Sequence, residues 1–131
     1  MPEEPLFQRI DCLALPVDDV EAAVGFYRGL GHELIWRTPT AAGLRLQNCG
    51  AELVVQSERP RAETDLAVEA VGPAVARFVA AGGRVVVEPF EIQIGQCAVV
   101  ADPWGNHLVI LDSSKGRLVT DESGNVTGNE R

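Results

Sequence analysis

Three ionisable side chains, Glu52, Asp65 and His107, are the residues of this sequence best suited to chemistry. An imidazole has an ordinary pKa of about 6.5, so a histidine beside a carboxylate can move protons at neutral pH. The three residues are therefore predicted to act as acid and base, or to bind a polar group of a ligand. Two structural alternatives stay open: His107 lies just after a turn, and Asp65 marks the end of the charged loop 59–63.

The elements that position these residues recur along the chain. A shift of about 52 residues superimposes two copies of one pattern. In each copy an apolar run (11–15 and 64–68) predicts a strand, and apolar residues spaced by three and four predict a helix (20–30 and 71–79). Each copy is completed by three further strands and is thus predicted to be a βαβββ unit. Those strands are expected over 33–37, 44–47 and 51–56 in the first copy and over 84–87, 96–101 and 107–111 in the second.

Short local signals predict where the helices begin and end. Asp18, followed three residues later by Glu21, predicts a capping box for the first helix. A proline in the first turn is typical of a helix start, so Gly72-Pro73 predicts the beginning of the second helix. Gly31 and Gly83 occupy matching places in the two copies, and each is predicted to end its helix in the left-handed conformation.

Two such units predict an α+β protein with a single domain over 1–131, made of a module at 8–58 and a module at 62–112. A type I turn at 102–105 is expected to join the last two strands. The sheet is expected to be mixed and curved, with the helices on its outer face and a concave cleft for a ligand. The polar composition of 113–131 predicts a C-terminal tail that is mobile or wraps around a partner.

Composition limits the classes of partner. The 131 residues carry 19 acidic and 11 basic side chains, and the net charge of −8 repels nucleic-acid backbones. No apolar run approaches the roughly 20 residues that cross a bilayer, and the acidic N-terminus does not read as a secretory signal. We therefore expect a cytoplasmic protein with no nucleic-acid or membrane partner. The three cysteines, Cys12, Cys49 and Cys97, lack CxxC spacing and are expected to be reduced.

The sequence VDDVEAAVGFY at 17–27 and the sequence DPWGN at 102–106, together with the repeat, resemble the vicinal oxygen chelate superfamily. This superfamily includes glyoxalase I, extradiol dioxygenases and bleomycin resistance proteins, and the resemblance runs from about residue 8 to residue 112. It implies paired βαβββ units, a homodimer, and up to four metal-ligand positions on the first and last strand of each unit.

Carried over onto this sequence, the four metal-ligand positions of the resemblance fall on Cys12, Val54, Asp65 and Val109. A thiolate and a carboxylate can bind a metal, but two valines cannot, and a catalytic metal generally needs three protein ligands. No metal cofactor is therefore expected. A divalent metal at a rearranged site stays open as the alternative.

The remaining ligand-binding candidates follow from strand alternation, which places every second residue on one face. Arg45 and Gln47 are expected in the cavity because Leu44 and Leu46 belong beneath the helix, and a buried Arg45 requires Glu52 or an anionic ligand as its partner. Trp36 is a candidate for stacking on a flat ligand. The expected cleft also contains Gln56 and Glu69 and has an apolar floor of Cys12, Ala14, Val54, Ala67 and Val109.

These residues favour a metal-free protein that binds a small organic molecule, similar to bleomycin resistance proteins. The alternative is an enzyme of the lyase, isomerase or dioxygenase type, which uses a rearranged metal site or His107, Asp65 and Glu52 as acid and base. An interaction module whose cleft is filled by its own side chains is a third possibility, because the fold alone does not fix the function.

Overall fold

The computed structural model describes residues 4–131, and these residues form two helices and ten strands. They divide into two compact units. The first unit contains residues 11–64 and 118–128, and the second contains 65–117, 129–131 and the N-terminal segment up to Ile10. The elements are β1 (Arg9–Pro16), α1 (Val20–Gly29), β2 (Leu34–Thr38), β3 (Ala41–Arg45), β4 (Glu52–Gln56), β5 (Glu63–Ala67), α2 (Val71–Ala80), β6 (Arg84–Glu91), β7 (Gln96–Ala101), β8 (His107–Leu111), β9 (Arg117–Thr120) and β10 (Val126–Glu130).

The first unit has a mixed sheet in the order β2-β3-β4-β1. Strands β2, β3 and β4 are antiparallel neighbours, and β1 runs parallel to β4. Helix α1 covers one face of this sheet, because Val20 and Val24 pack on a buried cluster that β3 and β4 supply. The strand residues of that cluster are Ala42, Leu44, Leu53 and Val55.

The second unit repeats this plan in the order β5-β8-β7-β6. Strands β6, β7 and β8 are antiparallel neighbours, and β5 runs parallel to β8. Helix α2 packs Val71 and Ala74 on Ala98, Val100 and Ile110. The α+β class and the two βαβββ repeats predicted from the sequence are therefore confirmed.

The two helices are capped differently from the sequence prediction. Asp19, not Asp18, is the N-cap of α1, and its carboxylate accepts the backbone N–H of Ala22 at 3.1 Å. Helix α2 begins at Val71, two residues before Pro73, and its N-cap Ala70 has no side chain that can cap it. The cap comes instead from Asp112 at the end of β8, which accepts the N–H of Val71 at 2.8 Å. Pro73 lies in the first turn of α2, as predicted, whereas the capping group could not be predicted because it lies far away in the sequence.

Of the two glycines predicted to end a helix in the left-handed conformation, one adopts it. Gly31 has a φ of 100°, which confirms its predicted left-handed conformation. In the second copy the left-handed residue is Gly82, with a φ of 116°, and not Gly83. Gly83 is required for packing, since a Cβ there would lie 2.1 Å from the ring of Phe78.

The same five-residue turn, Asp-x-x-Gly-Asn, occurs twice. In the turn at 102–106, the Asp102 carboxylate accepts the N–H of Trp104 at 3.0 Å, and the backbone N–H and side-chain amide of Asn106 at 2.9 and 2.8 Å. The turn at 121–125 repeats these three bonds, with Asp121 in the place of Asp102. Hydrogen bonds from the asparagine side chain and backbone lower the pKa of Asp102, and those from the backbone and side chain of Asn125 lower the pKa of Asp121.

The second of these turns gives the polar tail an ordered structure that was not predicted from its composition. It joins β9 to β10, and its Gly124 carbonyl accepts the backbone N–H of Arg37 at 2.7 Å. Arg37 belongs to β2, the outer strand of the first unit's sheet, so the turn covers part of an edge that otherwise exposes backbone groups.

Among residues 4–131, no helix is long and apolar enough to span a membrane.

We expect Asp121→Ala to loosen this contact. The substitution removes three hydrogen bonds that hold the turn, so the turn should open more often. The amide of Arg37 should then exchange with deuterium faster than in the wild type, while the amides of β4 keep their protection. Asp102→Ala, which opens the matching turn in the second unit, is the control and should leave Arg37 unchanged. Equal exchange of Arg37 in all three proteins would contradict the contact.

Candidate functional site

The face of the first unit's sheet that lies opposite α1 carries half of the predicted ligand-binding residues. Cys12, Ala14 and Val54 are buried there in one apolar cluster, and Trp36 packs against it. Cys12 on β1 is the direct neighbour of Glu52 on β4. The structure therefore brings together Cys12, Trp36, Glu52 and Val54, all of which were predicted as site residues.

Trp36 and Glu52 form the central polar contact of this face. The indole Nε1 donates a hydrogen bond of 2.7 Å to Glu52 Oε1, although the two residues belong to β2 and β4. Strand β3 lies between them, and Gly43 is the residue over which the contact passes. A Cβ on Gly43 would lie 2.1 Å from Trp36 Nε1 and 2.7 Å from Glu52 Oε1. The absence of a side chain at position 43 is thus what allows the pair to form.

The predictions for Arg45 and Gln47 need correction. Arg45 is exposed, and its Nε donates to Glu33 Oε1 at 3.1 Å, so its partner is neither Glu52 nor a ligand in a closed cavity. Strand β3 ends at Arg45, and Gln47 is an exposed residue of the following bend. The sequence argument shifted β3 by about three residues because Ala41–Gly43 have little apolar bulk.

Gln56 lies on the predicted face, but its side chain serves the fold. It is buried, its Oε1 accepts the backbone N–H groups of Glu58 and Arg59 at 2.8 and 2.7 Å, and its Nε2 donates to the carbonyl of Arg59. Three of its hydrogen-bonding positions are thus used to hold the loop after β4. This arrangement assigns Gln56 a structural role, which differs from the ligand contact predicted for it.

The second unit holds the other predicted site residues. Asp65 on β5 is buried and is the direct neighbour of Val109 on β8. His107 begins β8, on the same face as Val109, and is exposed. Glu69 lies beyond the end of β5, where its carboxylate accepts a hydrogen bond of 3.1 Å from Gln8 Nε2, so its predicted place on the strand was wrong.

The apolar floor predicted for the second unit is covered by the unit's own residues. Ala67 and Leu111 pack with Cys97 in a buried cluster, and Val109 lies against it. Ile92 and Ile94, from the loop after β6, also pack on this cluster. The loop is held in place by Lys115, whose Nζ donates to the carbonyl of Ile92 at 3.0 Å.

Strand pairing corrects the repeat alignment of the candidate metal positions. Val17 N–H donates to the Gln56 carbonyl in the first copy, and Val68 N–H donates to the Leu111 carbonyl in the second. Val17 and Val68 are therefore equivalent, and counting back five residues from each gives Cys12 and Glu63.

The true counterpart of Cys12 is thus Glu63, and the counterpart of Asp65 is Ala14. Sequence analysis missed Glu63 because the repeat was aligned on the apolar runs, which tolerate a shift of two residues. The two valines, Val17 and Val68, were the signal that would have found it. Glu63 accepts a hydrogen bond of 2.8 Å from Arg59 Nε.

The donor atoms do not fit the metal site implied by the resemblance. Of the four corrected positions, Val54 and Val109 offer no donor, and Glu63 is held by Arg59. In the first unit the neighbours Cys12 and Glu52 supply two potential ligands, while a catalytic metal generally uses three. Within residues 4–131 no group of three or more His, Cys, Asp or Glu side chains is arranged to hold a metal ion.

Two open depressions lie elsewhere on the surface, and neither is lined by a predicted site residue. The first, of about 520 Å³, lies at the start of α1 between Asp19, Arg37, Ser57 and Asn125. The second, of about 500 Å³, lies beside Glu91, Gln93, Lys115 and Asn129. In the second depression, hydrogen bonds from Lys115 and Gln96 and the charge of Lys115 lower the pKa of Glu91.

The fold and the site define the chain as an α+β protein built from two βαβββ units, with a tryptophan–carboxylate pair on the helix-free face of the first. The family model of the Glyoxalase/Bleomycin resistance protein/Dioxygenase superfamily matches residues 9–110, and the chain belongs to this superfamily. The resemblance stated from the two sequence motifs is therefore confirmed. No protein with a curated description matches the chain.

Solved structures with the same fold include several enzymes. Methylmalonyl-CoA epimerase from Mycobacterium tuberculosis is 15% identical, with a TM-score of 0.72 over 87% of this chain and 93% of that one. The Mn(II)-bound glyoxalase from Novosphingobium aromaticivorans is 17% identical, with a TM-score of 0.58 over 96% and 42%. Homoprotocatechuate 2,3-dioxygenase from Brevibacterium fuscum is 23% identical, with a TM-score of 0.60 over 83% and 37%. At these identities the likeness supports the shared fold.

Proposed function

We propose that the chain binds a small organic molecule without the help of a metal, and that Trp36 and Glu52 form the binding surface. The observation that carries this proposal is the 2.7 Å hydrogen bond between the indole of Trp36 and the carboxylate of Glu52. It fixes the orientation of a half-buried aromatic ring beside a negative charge. An aromatic ring and a carboxylate together attract a flat cation, because the face of the ring carries partial negative charge and the carboxylate carries a full one.

The surroundings of the pair suit such a ligand. The buried residues Cys12, Ala14 and Val54 give the site an apolar base against which Trp36 packs. The hydrogen bond limits the motion of both side chains before a ligand arrives, which lowers the entropic cost of binding. A ligand of this class needs one positive or hydrogen-donating group for Glu52 and an aromatic body for Trp36.

Calorimetric titration with benzamidinium and benzoate tests the proposal, because the two probes share size and shape but carry opposite charge. We expect benzamidinium to bind at least about tenfold more tightly than benzoate, since a charged hydrogen bond contributes about 1.5–3 kcal/mol. Glu52→Gln should remove this preference. The control is Glu33→Gln, which removes an exposed carboxylate of the same unit that contacts Arg45. Loss of binding in both variants, or no binding by the wild type, would count against the Glu52 site.

Metal-dependent catalysis is the competing function, and one observation favours it: solved structures of the same fold include a Mn(II)-bound glyoxalase and a dioxygenase. The donor set of this chain argues against metal binding, because valine stands at two of the four metal-ligand positions, 54 and 109. Elemental analysis of the purified protein distinguishes metal-dependent catalysis from metal-free binding. A stoichiometric divalent metal that is lost in Cys12→Ala or Asp65→Ala would establish the metal-dependent alternative.

A further inference from the structure

Three residues form a row across the second unit's sheet, and the two outer ones are basic. Arg84 of β6 is the direct partner of Ala101 on β7, and Ala101 is the direct partner of His107 on β8. Val100 packs beneath α2, so its neighbour Ala101 and the two residues paired with it belong to the helix-free face. The register shifts of β6 begin beyond Val85 and leave this row regular. Two strand spacings separate the backbones of the exposed Arg84 and His107 by about 10 Å.

The matching row of the first unit has the opposite charge pattern. Strands β4 and β8 are equivalent, and the row that starts from the first residue of β4 consists of Glu52, Arg45 and Glu33. Carboxylates occupy both ends of that row, and the arginine in the middle forms an ion pair with Glu33. In the second unit the ends are basic, and the methyl group of Ala101 adds no charge between them. The two copies thus share the geometry of the row and differ in the sign of its charge.

Arg84 and His107 have no acidic partner in the part of the chain that the structure describes, since neither forms an ion pair or a side-chain hydrogen bond there. The carboxylate that directly follows Ala101 is that of Asp102, and it accepts three hydrogen bonds from its own turn. Two neighbouring basic groups repel each other when the histidine is protonated, and an anion between them turns this repulsion into attraction. The row therefore suits an anionic ligand.

We infer that Arg84 and His107 bind the phosphate group of a small phosphate monoester on this face. A guanidinium donates two parallel hydrogen bonds to a carboxylate or a phosphate. A carboxylate has only two oxygens, and these bonds use both of them. A phosphate monoester keeps a third oxygen for the imidazole N–H of His107. It also carries about two negative charges at neutral pH, which match the two basic groups.

The next row of the same face predicts the rest of the ligand. Val87, Val99 and Val109 are direct partners across β6, β7 and β8. Val87 is 43% exposed, and the other two valines are half-buried. An apolar surface beside an anion site suits a phosphate group that is attached to a flat apolar body, such as an aromatic ring. The residues and the charge of this site differ from those of the Trp36–Glu52 site, so neither proposal depends on the other.

Calorimetric titration with phenyl phosphate tests the inference. We expect Arg84→Gln to weaken binding by about tenfold or more, because it removes a charged contact with two hydrogen bonds. His107→Gln should weaken binding less, since its neutral amide still donates one hydrogen bond. Arg84→Lys keeps the charge but not the planar fork, so its affinity should lie between those of the wild type and Arg84→Gln. Inorganic phosphate should bind the wild type more weakly than phenyl phosphate, because it lacks the apolar body.

The control is Arg28→Gln, which removes an exposed arginine of α1 and should bind phenyl phosphate like the wild type. Circular dichroism melting verifies that each variant is folded. Glu52→Gln should lose the preference for benzamidinium but keep its affinity for phenyl phosphate, which separates the two sites. A wild type that does not bind phenyl phosphate would overturn the inference. Binding that Arg84→Gln leaves unchanged, or that Arg28→Gln weakens equally, would overturn it as well, because the affinity would then come from another site or from general charge.

Discussion

Replacing Asp112 by alanine should lower the free energy of unfolding by about 3–5 kcal/mol, because a buried hydrogen-bonded carboxylate leaves several donors without an acceptor when it is removed. Asp112 Oδ2 accepts the N–H of Val71 at 2.8 Å, and Oδ1 accepts the N–H of Gln96 at 3.0 Å. Oδ1 also accepts the N–H and the hydroxyl of Ser114 at 3.1 and 2.8 Å. One side chain thus fixes the start of α2, the start of β7 and the chain after β8. Urea denaturation followed by circular dichroism measures the loss.

Two further substitutions test whether the hydrogen bonds of Asp112 cause the expected loss of stability. Asp112→Asn keeps an oxygen for some of the donors but turns an amide N–H₂ toward others, so it should cost less than alanine. Gly95→Ala should also destabilise strongly, since its Cβ would lie 2.2 Å from Asp112 Oδ1 and 2.5 Å from the Asp112 carbonyl oxygen. Gly25→Ala is the matched control, because no atom lies within 4 Å of a Cβ there. A loss below about 1 kcal/mol in Asp112→Ala would refute the role of these bonds.

The stabilisation of the fold by the Asp112 carboxylate should decrease at low pH. Burial alone would raise the pKa of Asp112, but hydrogen bonds from Gln96, Val71 and Ser114 outweigh it and hold the pKa below the ordinary 3.8. A carboxylate whose pKa is lower in the folded state stabilises the fold above the unfolded pKa, and this stabilisation is lost as the pH falls through the folded pKa. The difference between wild type and Asp112→Ala should therefore be constant from about pH 7 to pH 5 and shrink below about pH 4.

Repeated local patterns made the fold predictable from this sequence. Helices α1 and α2 were predicted from the spacing of their apolar residues, and so were the strands over 96–101 and 107–111. The sequence shows this spacing directly. Long-range contacts were not predictable in this way. The cap of α2 comes from Asp112, 41 residues away. The equivalence of Cys12 and Glu63 in the repeat was missed because the apolar runs alone do not fix the alignment, whereas the strand hydrogen bonds do.

The site was predictable to a similar extent. Alternation along β4 correctly placed Glu52, Val54 and Gln56 on one face, since the period of a strand does not depend on its neighbours. What each side chain does on that face depends on its partners in space. Gln56 is held by a loop that periodicity does not describe, and Trp36 reaches Glu52 because the strand between them has a glycine at one position.

That glycine leads to the second large expected effect. Gly43→Ala should separate Trp36 from Glu52, because the new methyl group would lie within 2.1 Å of the indole nitrogen. Forcing extra volume into a packed site costs about 1–3 kcal/mol, and here the ring must move to accept it. We expect the fluorescence of Trp36 to shift, measured in a Trp104→Phe background so that the exposed Trp104 does not contribute.

The same substitution should abolish the preference for benzamidinium over benzoate, although it changes no charge and removes no group that contacts the ligand. Glu52 and Trp36 are both still present in Gly43→Ala, so a loss of binding would show that their fixed arrangement, and not their mere presence, is what the ligand requires. Gly25→Ala again serves as the control and should bind like the wild type. If Gly43→Ala kept both the fluorescence of Trp36 and the charge preference, the pair would not be the binding surface.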